Sequence, residues 1–165
     1  MPIFHLKYPH FKHEENSLRG AVYADRHGYN KIDWDLQMTK DRVIVVTHWR
    51  RPMRRDGFRD PRHILDPDTP IGQLTWRQVK RLVTRDGYRI RRIEPMLRFA
   101  GRIGIRPVLE PKSKRFAVDW PWEHIAQVAN EAGAHIEAYA LRSHGGVETM
   151  AAAARHGVPA RVIYR

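Results

Sequence analysis

The chain has 165 residues, enough for one domain with a sizeable core, and 42% of them are hydrophobic. Lys and Arg number 30 against 18 acids, so the net charge is +12, a field that attracts phosphates, nucleic acid and anionic lipid surfaces without choosing among them. The absence of Cys excludes disulfides and thiolate metal sites, which leaves carboxylates, carbonyls and the 10 His as candidate metal ligands.

Residues 2–6 read as a short strand carrying His5. The first eight residues lack the basic start and long apolar stretch of a signal peptide, and no run of about 18 apolar residues follows anywhere. A cytoplasmic protein without a transmembrane helix is therefore expected. Residues 18–27 read as a helix, with Ser17 as N-cap and Gly28 as its stop. Residues 31–36 and 43–47 read as strands. Residues 50–70, rich in Arg, Asp and Pro, lack periodicity and read as an irregular basic insertion. Helices are expected over 75–83, 94–102, 122–132 and 147–156, and strands over 106–110, 136–140 and 160–164.

Strands alternating with helices predict an α/β fold with a parallel sheet, either a barrel or an open doubly wound sheet. No GxGxxG or GxxxxGK[ST] follows the first strand, so a nucleotide-binding sheet would lack its phosphate loop. Nothing suggests an internal repeat, and the expectation is a single domain over 1–165.

Ionisable residues recur where the predicted strands end: His5, then Asp33 and Asp35, then His48, then Glu110 followed by Lys112. In a β/α barrel the C-terminal strand ends form one ring around the active site. Asp33 and Asp35 are two apart on a strand and so point to the same side. Two such carboxylates repel each other unless a cation or a proton sits between them. With Glu110 they make an all-oxygen set that suits Mg²⁺ or Ca²⁺ better than zinc. Two imidazoles nearby could serve as base and acid, since His titrates near neutrality.

Beyond chemistry read from the residues, the run Glu15-Asn16-Ser17, then Ile32-Asp33-Trp34-Asp35-Leu36-Gln37-Met38-Thr39-Lys40-Asp41, then Val45-Val46-Thr47-His48 resembles the glycerophosphodiester phosphodiesterase family. The family pattern is E-N-[ST], E-x-D-[VL]-x-[LM]-T-K-D, V-V-x-H and a later E-[LIP]-K, the last matched by Glu110-Pro111-Lys112. The resemblance implies a β/α barrel of the phospholipase-C-like phosphodiesterase type that hydrolyses glycerophosphodiesters to glycerol phosphate and an alcohol with a divalent cation. It implies Asp33, Asp35 and Glu110 as metal ligands, His5 and His48 as catalytic residues and Lys112 as a phosphate-binding lysine.

This chain departs from the pattern in places. Leu6-Lys7 follow His5 where the family has Arg-Gly, so Lys7 would supply the phosphate-binding charge without a bidentate fork. Asp33 stands where Glu is usual, and Trp49 follows His48 where Asp is usual. Six predicted strands against the usual eight imply a shortened or incomplete barrel. Its open edges call for a homodimer partner or for a covering segment, most simply 50–70. The substrate expected is a small phosphodiester. Two rivals remain at this point: a phosphate- or nucleic-acid-binding module on a degenerate barrel, and a phosphodiesterase acting on a polyanion.

Overall fold

A computed structural model of the chain describes residues 16–55, 57–142 and 145–163. In chain order its elements are α1 (Leu18–Arg26), β1 (Lys31–Met38), β2 (Ile44–Val46), α2 (Pro52–Arg55), α3 (Trp76–Val79), β3 (Arg91–Arg92) and α4 (Ile93–Ile103). They continue with β4 (Arg106–Pro111), α5 (Asp119–Glu131), β5 (Glu137–Leu141), α6 (Gly146–Arg155) and β6 (Ala160–Ile163). The predicted strand 2–6, with His5 and Lys7, lies outside the described residues.

The six strands form one sheet in the order β3-β2-β1-β4-β5-β6. β1, β4, β5 and β6 run parallel. Here the expectation of an all-parallel sheet is corrected, because β2 pairs antiparallel with β1 and β3 antiparallel with β2. The reason is the length of the link. Only residues 39–43 join β1 to β2, and a parallel pair needs a crossover of a dozen or more residues.

Those residues form a tight, specific turn. Thr39 Oγ1 donates to Asp41 Oδ1 (2.6 Å) and accepts from the Val43 N–H (2.9 Å), and the Thr39 N–H donates to Val43 O (3.0 Å). Arg42 takes a left-handed φ of 64°. Asp41 Oδ1 also accepts the N–H of Trp76 (2.9 Å), which ties the hairpin to α3. Thr84, Asp86 and Tyr88 repeat the same arrangement before β3.

The alternation along β1 sorts its side chains by face. Ile32, Trp34, Leu36 and Met38 enter one apolar cluster with Ile44 and Val46 of β2, Leu109 of β4 and Ala138 and Ala140 of β5. That cluster also holds the buried faces of α1, α4, α5 and α6. All four helices thus cover one face of the sheet, as in a barrel wall, and a doubly wound sheet would carry helices on both. The wall is not closed: β3 and β6 are its edges among the described residues.

Two helix termini fall where the sequence indicates. Ser17 Oγ caps α1 by accepting the Gly20 N–H at 2.9 Å. Gly104 stops α4 with a left-handed φ of 72°. None of the helices among the described residues is long and apolar enough to cross a membrane.

The stretch between β2 and β3 has a core of its own. Val45, on the opposite face of β2 from Ile44 and Val46, packs with Phe58, Ile71, Leu74, Val79, Leu82 and Ile90. The helix expected over 75–83 is cut to one turn, because Val83 instead bridges Arg59 and Arg89 in extended form. Residues 50–70 are irregular as expected, apart from the short α2, yet Phe58 anchors them to the β2 face.

Packing of α4 on α5 requires a glycine. A Cβ at Gly101 would lie 2.0 Å from the Ala132 carbonyl oxygen. Gly101→Ala is expected to cost about 1–3 kcal/mol through forced displacement of α5. Urea unfolding followed by circular dichroism checks this, and an unchanged midpoint would contradict the packing.

Candidate metal and phosphate site

β1 and β4 lie side by side and parallel with Asp35 in register with Glu110. Residues in register on adjacent strands face the same way, and Asp33 shares that face by alternation. One oxygen from each of Asp33, Asp35 and Glu110 lies within 4.8 Å of the others. Asp35 and Glu110 are buried, at 2% and 6% exposure. Lys112, two residues beyond Glu110, keeps to the same side because its N–H continues the ladder to Leu36 O (3.0 Å). Its Nζ stands 2.8 Å from Asp35 Oδ1 and 2.6 Å from Glu110 Oε2.

Two further residues, which the sequence reading assigned no role, hold these carboxylates in place. Tyr139 of β5 directs its hydroxyl to Glu110 Oε2 (2.7 Å) and Asp33 Oδ2 (3.2 Å). Asn16 grips Asp35 twice: its Nδ2 donates to Asp35 Oδ2 (2.8 Å) and its Oδ1 accepts the Asp35 N–H (2.6 Å). To do so Asn16 adopts a left-handed φ of 61°, and its carbonyl accepts the hydroxyl of the half-buried Tyr88 (2.7 Å). Asn16 stood inside the motif Glu15-Asn16-Ser17, and Tyr139 was the one hydroxyl in an otherwise apolar strand core. Those were the signals available.

Burial pushes the Asp35 carboxyl up to about 6, with Lys112 opposing and Asp33 adding to the shift. Burial pushes Glu110 upward as well, but hydrogen bonds from Lys112 and Tyr139 prevail and hold it below the usual range. Burial also disfavours the Lys112 ammonium, yet Asp35 and Glu110 outweigh it and keep the group charged. Burial, reinforced by Asp33 and Glu110, raises Tyr139, so its hydroxyl stays a donor. With all three acids ionised, one ammonium leaves two negative charges uncompensated. An oxygen-only donor set with that deficit fits a hard divalent cation.

His48 reaches this region by the hairpin, not as the C-terminal end of a parallel strand as the sequence suggested. The Thr47 N–H donates to Asp35 O (2.9 Å), and the Gln37 amide donates to His48 O (3.1 Å). The His48 ring is half-buried and meets the exposed Trp49 edge-on at 4.4 Å. The structure therefore brings Asp33, Asp35, Glu110 and Lys112 together and sets His48 two residues past the end of β2, while His5 and Lys7 fall outside the described residues.

The ion pairs give a pH-dependent expectation. Lys112→Met would strand buried carboxylates and, at pH 8 with a chelator present, cost about 3–5 kcal/mol. As pH falls the acids take up protons, Asp35 first because it already titrates near 6, and the loss should shrink. Thermal melts of both proteins between pH 8 and pH 5 check this, and a gap that widened toward pH 5 would contradict the assignment.

Comparison with known proteins identifies the family and the fold. The sequence pattern of the glycerophosphoryl diester phosphodiesterase family matches residues 6–160. Among solved structures, a glycerophosphodiester phosphodiesterase from Parabacteroides distasonis is similar at 19% identity and a TM-score of 0.65, over 90% of this chain and 57% of its own. One from Agrobacterium tumefaciens is similar at 17% identity and 0.66, over 90% of this chain and 59% of its own. A phosphodiesterase from Oleispira antarctica, solved with the product sn-glycerol-3-phosphate, is similar at 14% and 0.61, over 89% and 58%. At those identities the likeness establishes the fold, a β/α barrel of which this chain spans under three fifths of the relatives' length. With the match to nearly the whole chain, Asp33 through His48 and Glu110-Pro111-Lys112 stand in a known context: the chain belongs to the glycerophosphoryl diester phosphodiesterase family.

Proposed function

We propose that this chain hydrolyses a glycerophosphodiester to glycerol phosphate and an alcohol. The observation that carries the reading is the buried cluster of Asp33, Asp35 and Glu110 with the Lys112 ammonium against two of them. The family supports it, and so does the glycerol phosphate product in the Oleispira antarctica relative.

Asp33, Asp35 and Glu110 would hold a divalent cation, Mg²⁺ or Ca²⁺. When bound, the cation supplies positive charge against the phosphate oxygens. The chain's own residues do the rest. Tyr139 and Asn16 fix the carboxylate planes, so the acid oxygens need no reordering on binding. Lys112 offers the phosphate a second fixed positive charge, and Lys7 is proposed as a further phosphate-binding charge on the family resemblance alone. His48 and His5 move the protons: one takes a proton from the attacking hydroxyl and the other gives one to the leaving alkoxide. Attack by water gives glycerol phosphate directly, whereas attack by the substrate's own glycerol hydroxyl gives a cyclic phosphate that water then opens to glycerol phosphate, with the two His roles reversed. The bond from phosphorus to the alcohol oxygen breaks as the new phosphorus–oxygen bond forms.

Two measurements test this. Millimolar Mg²⁺ or Ca²⁺ should raise the melting temperature of the chelator-treated protein by mass action, and Asp35→Asn should remove most of that rise. Glycerophosphocholine and bis-p-nitrophenyl phosphate should be cleaved with the same ion. His48→Ala should lower that rate by about 10²–10⁴-fold while leaving the melting temperature near wild type. Cleavage of neither ester with any divalent ion would defeat the reading.

A further inference from the structure

A cavity of about 480 Å³ opens at the strand ends and reaches Lys112 of the acidic cluster. Its wall comes from three parts of the chain: Gln37 and Met38 at the end of β1, Arg50 with Pro70, Gly72 and Gln73, and Lys112 to Arg115 beyond β4. Lys112 belongs to both cavity and cluster, so the two adjoin at that side chain. Gln37, whose amide holds the His48 carbonyl, joins them at another point.

The charged residues lining this cavity are Arg50, Lys112, Lys114 and Arg115, with no acid among them. They are not equally committed. Lys112 is bound to Asp35 and Glu110. Arg115 is fixed by donating to the carbonyls of Met38 (3.0 Å) and Thr39 (2.9 Å). The side chains of Arg50 and Lys114 have no hydrogen-bond or ion-pair partner among the described residues, unlike Arg54 on Asp68 or Lys31 and Arg106 on Glu137. The Lys114 stem lies against the backbone at Gly145, where a Cβ would come within 3.1 Å of its Cγ, so its direction is constrained. Ser113 adds a buried hydroxyl on the same wall, also without a partner.

We infer that this cavity is an anion subsite for the departing half of the substrate, so that the enzyme favours glycerophosphodiesters whose leaving alcohol itself carries a phosphate. The inference rests on the phosphodiesterase reading for its catalytic arm only. The scissile phosphate would sit at the acidic cluster and Lys112, and the alcohol would extend past Lys112 until its own phosphate met Arg50 and Lys114. Two cations left unpaired in a concave, acid-free wall repel each other and are relieved by an anion between them. A choline headgroup would bring a third positive charge to the same place.

The test compares kcat/KM for glycerophosphoinositol 4-phosphate, glycerophosphoglycerol and glycerophosphocholine in wild type and in the Arg50→Ala/Lys114→Ala double variant. Wild type should prefer the phosphorylated substrate over glycerophosphoglycerol by about tenfold or more, as about 1.4 kcal/mol allows. The preference should shrink as salt is raised. The double variant should lose the preference and keep the wild-type rate on glycerophosphoglycerol. Equal rates on the phosphorylated and neutral substrates in wild type would overturn the subsite and leave the activity standing.

A binding arm is independent of turnover. Inositol 4-phosphate should bind the wild-type protein in calorimetry and bind the double variant about tenfold more weakly. If no diester is cleaved but this difference is found, the subsite stands and the catalytic reading fails. If wild type and variant bind alike, the subsite is wrong.

Discussion

The parallel register that sets Asp35 beside Glu110 gathers three carboxylates at one point of the sheet, and burial makes such a gathering unfavourable unless a cation is at hand. Lys112 meets part of that demand from the same strand as Glu110, which is why two residues of spacing suffice. Tyr139 and Asn16 satisfy further lone pairs from β5 and from the chain before α1. A shift of β1 by one residue against β4 would carry Asp33 and Asp35 to the helix-covered face, where the apolar cluster has no partner for them. The apolar alternation of Ile32, Trp34, Leu36 and Met38 thus fixes the site as well as the core.

The hairpin after β1 carries much of the family's signature, and most of that signature is structural. Thr39 and Asp41 close the turn, and Asp41 also caps the entry to α3. Their work is to bring β2 back along β1, so that the Thr47 N–H bonds to the Asp35 carbonyl and His48 follows directly after it. The segment that follows then packs Phe58, Ile71 and Leu74 onto Val45, on the sheet face opposite the helices. Arg50, Pro70, Gly72 and Gln73 reach the cavity beside Lys112 through that packing.

The positive charge of +12 is used in several ways. Arg54, Arg106, Lys31 and Arg155 sit in surface pairs that contribute little each. Arg115 serves as a hydrogen-bond donor to backbone. Lys112, Lys114 and Arg50 instead face concave space near the acids. Lys112 is paired with Asp35 and Glu110, so the excess of basic residues becomes a local field at Arg50 and Lys114, which have no acid partner among the described residues.

The sequence by itself determined the helices and their caps, the strand carrying Asp33 and Asp35, and the shared face of those acids. These are local matters of periodicity and capping, set by neighbours a few residues away. It also carried the family, because Asp33 to His48 and Glu110-Pro111-Lys112 are contiguous motifs. Tertiary structure alone decided what depends on distant partners. The antiparallel return of β2, the bridging of Val83 that shortens α3, and the grip of Asn16 and Tyr139 on the acids could not be read from spacing. Asn16 lies 19 residues from Asp35, and Tyr139 lies 29 from Glu110 and 106 from Asp33. Hydrogen bonds over such separations exist only once the sheet has set its strand order, and no local pattern in the chain encodes that order.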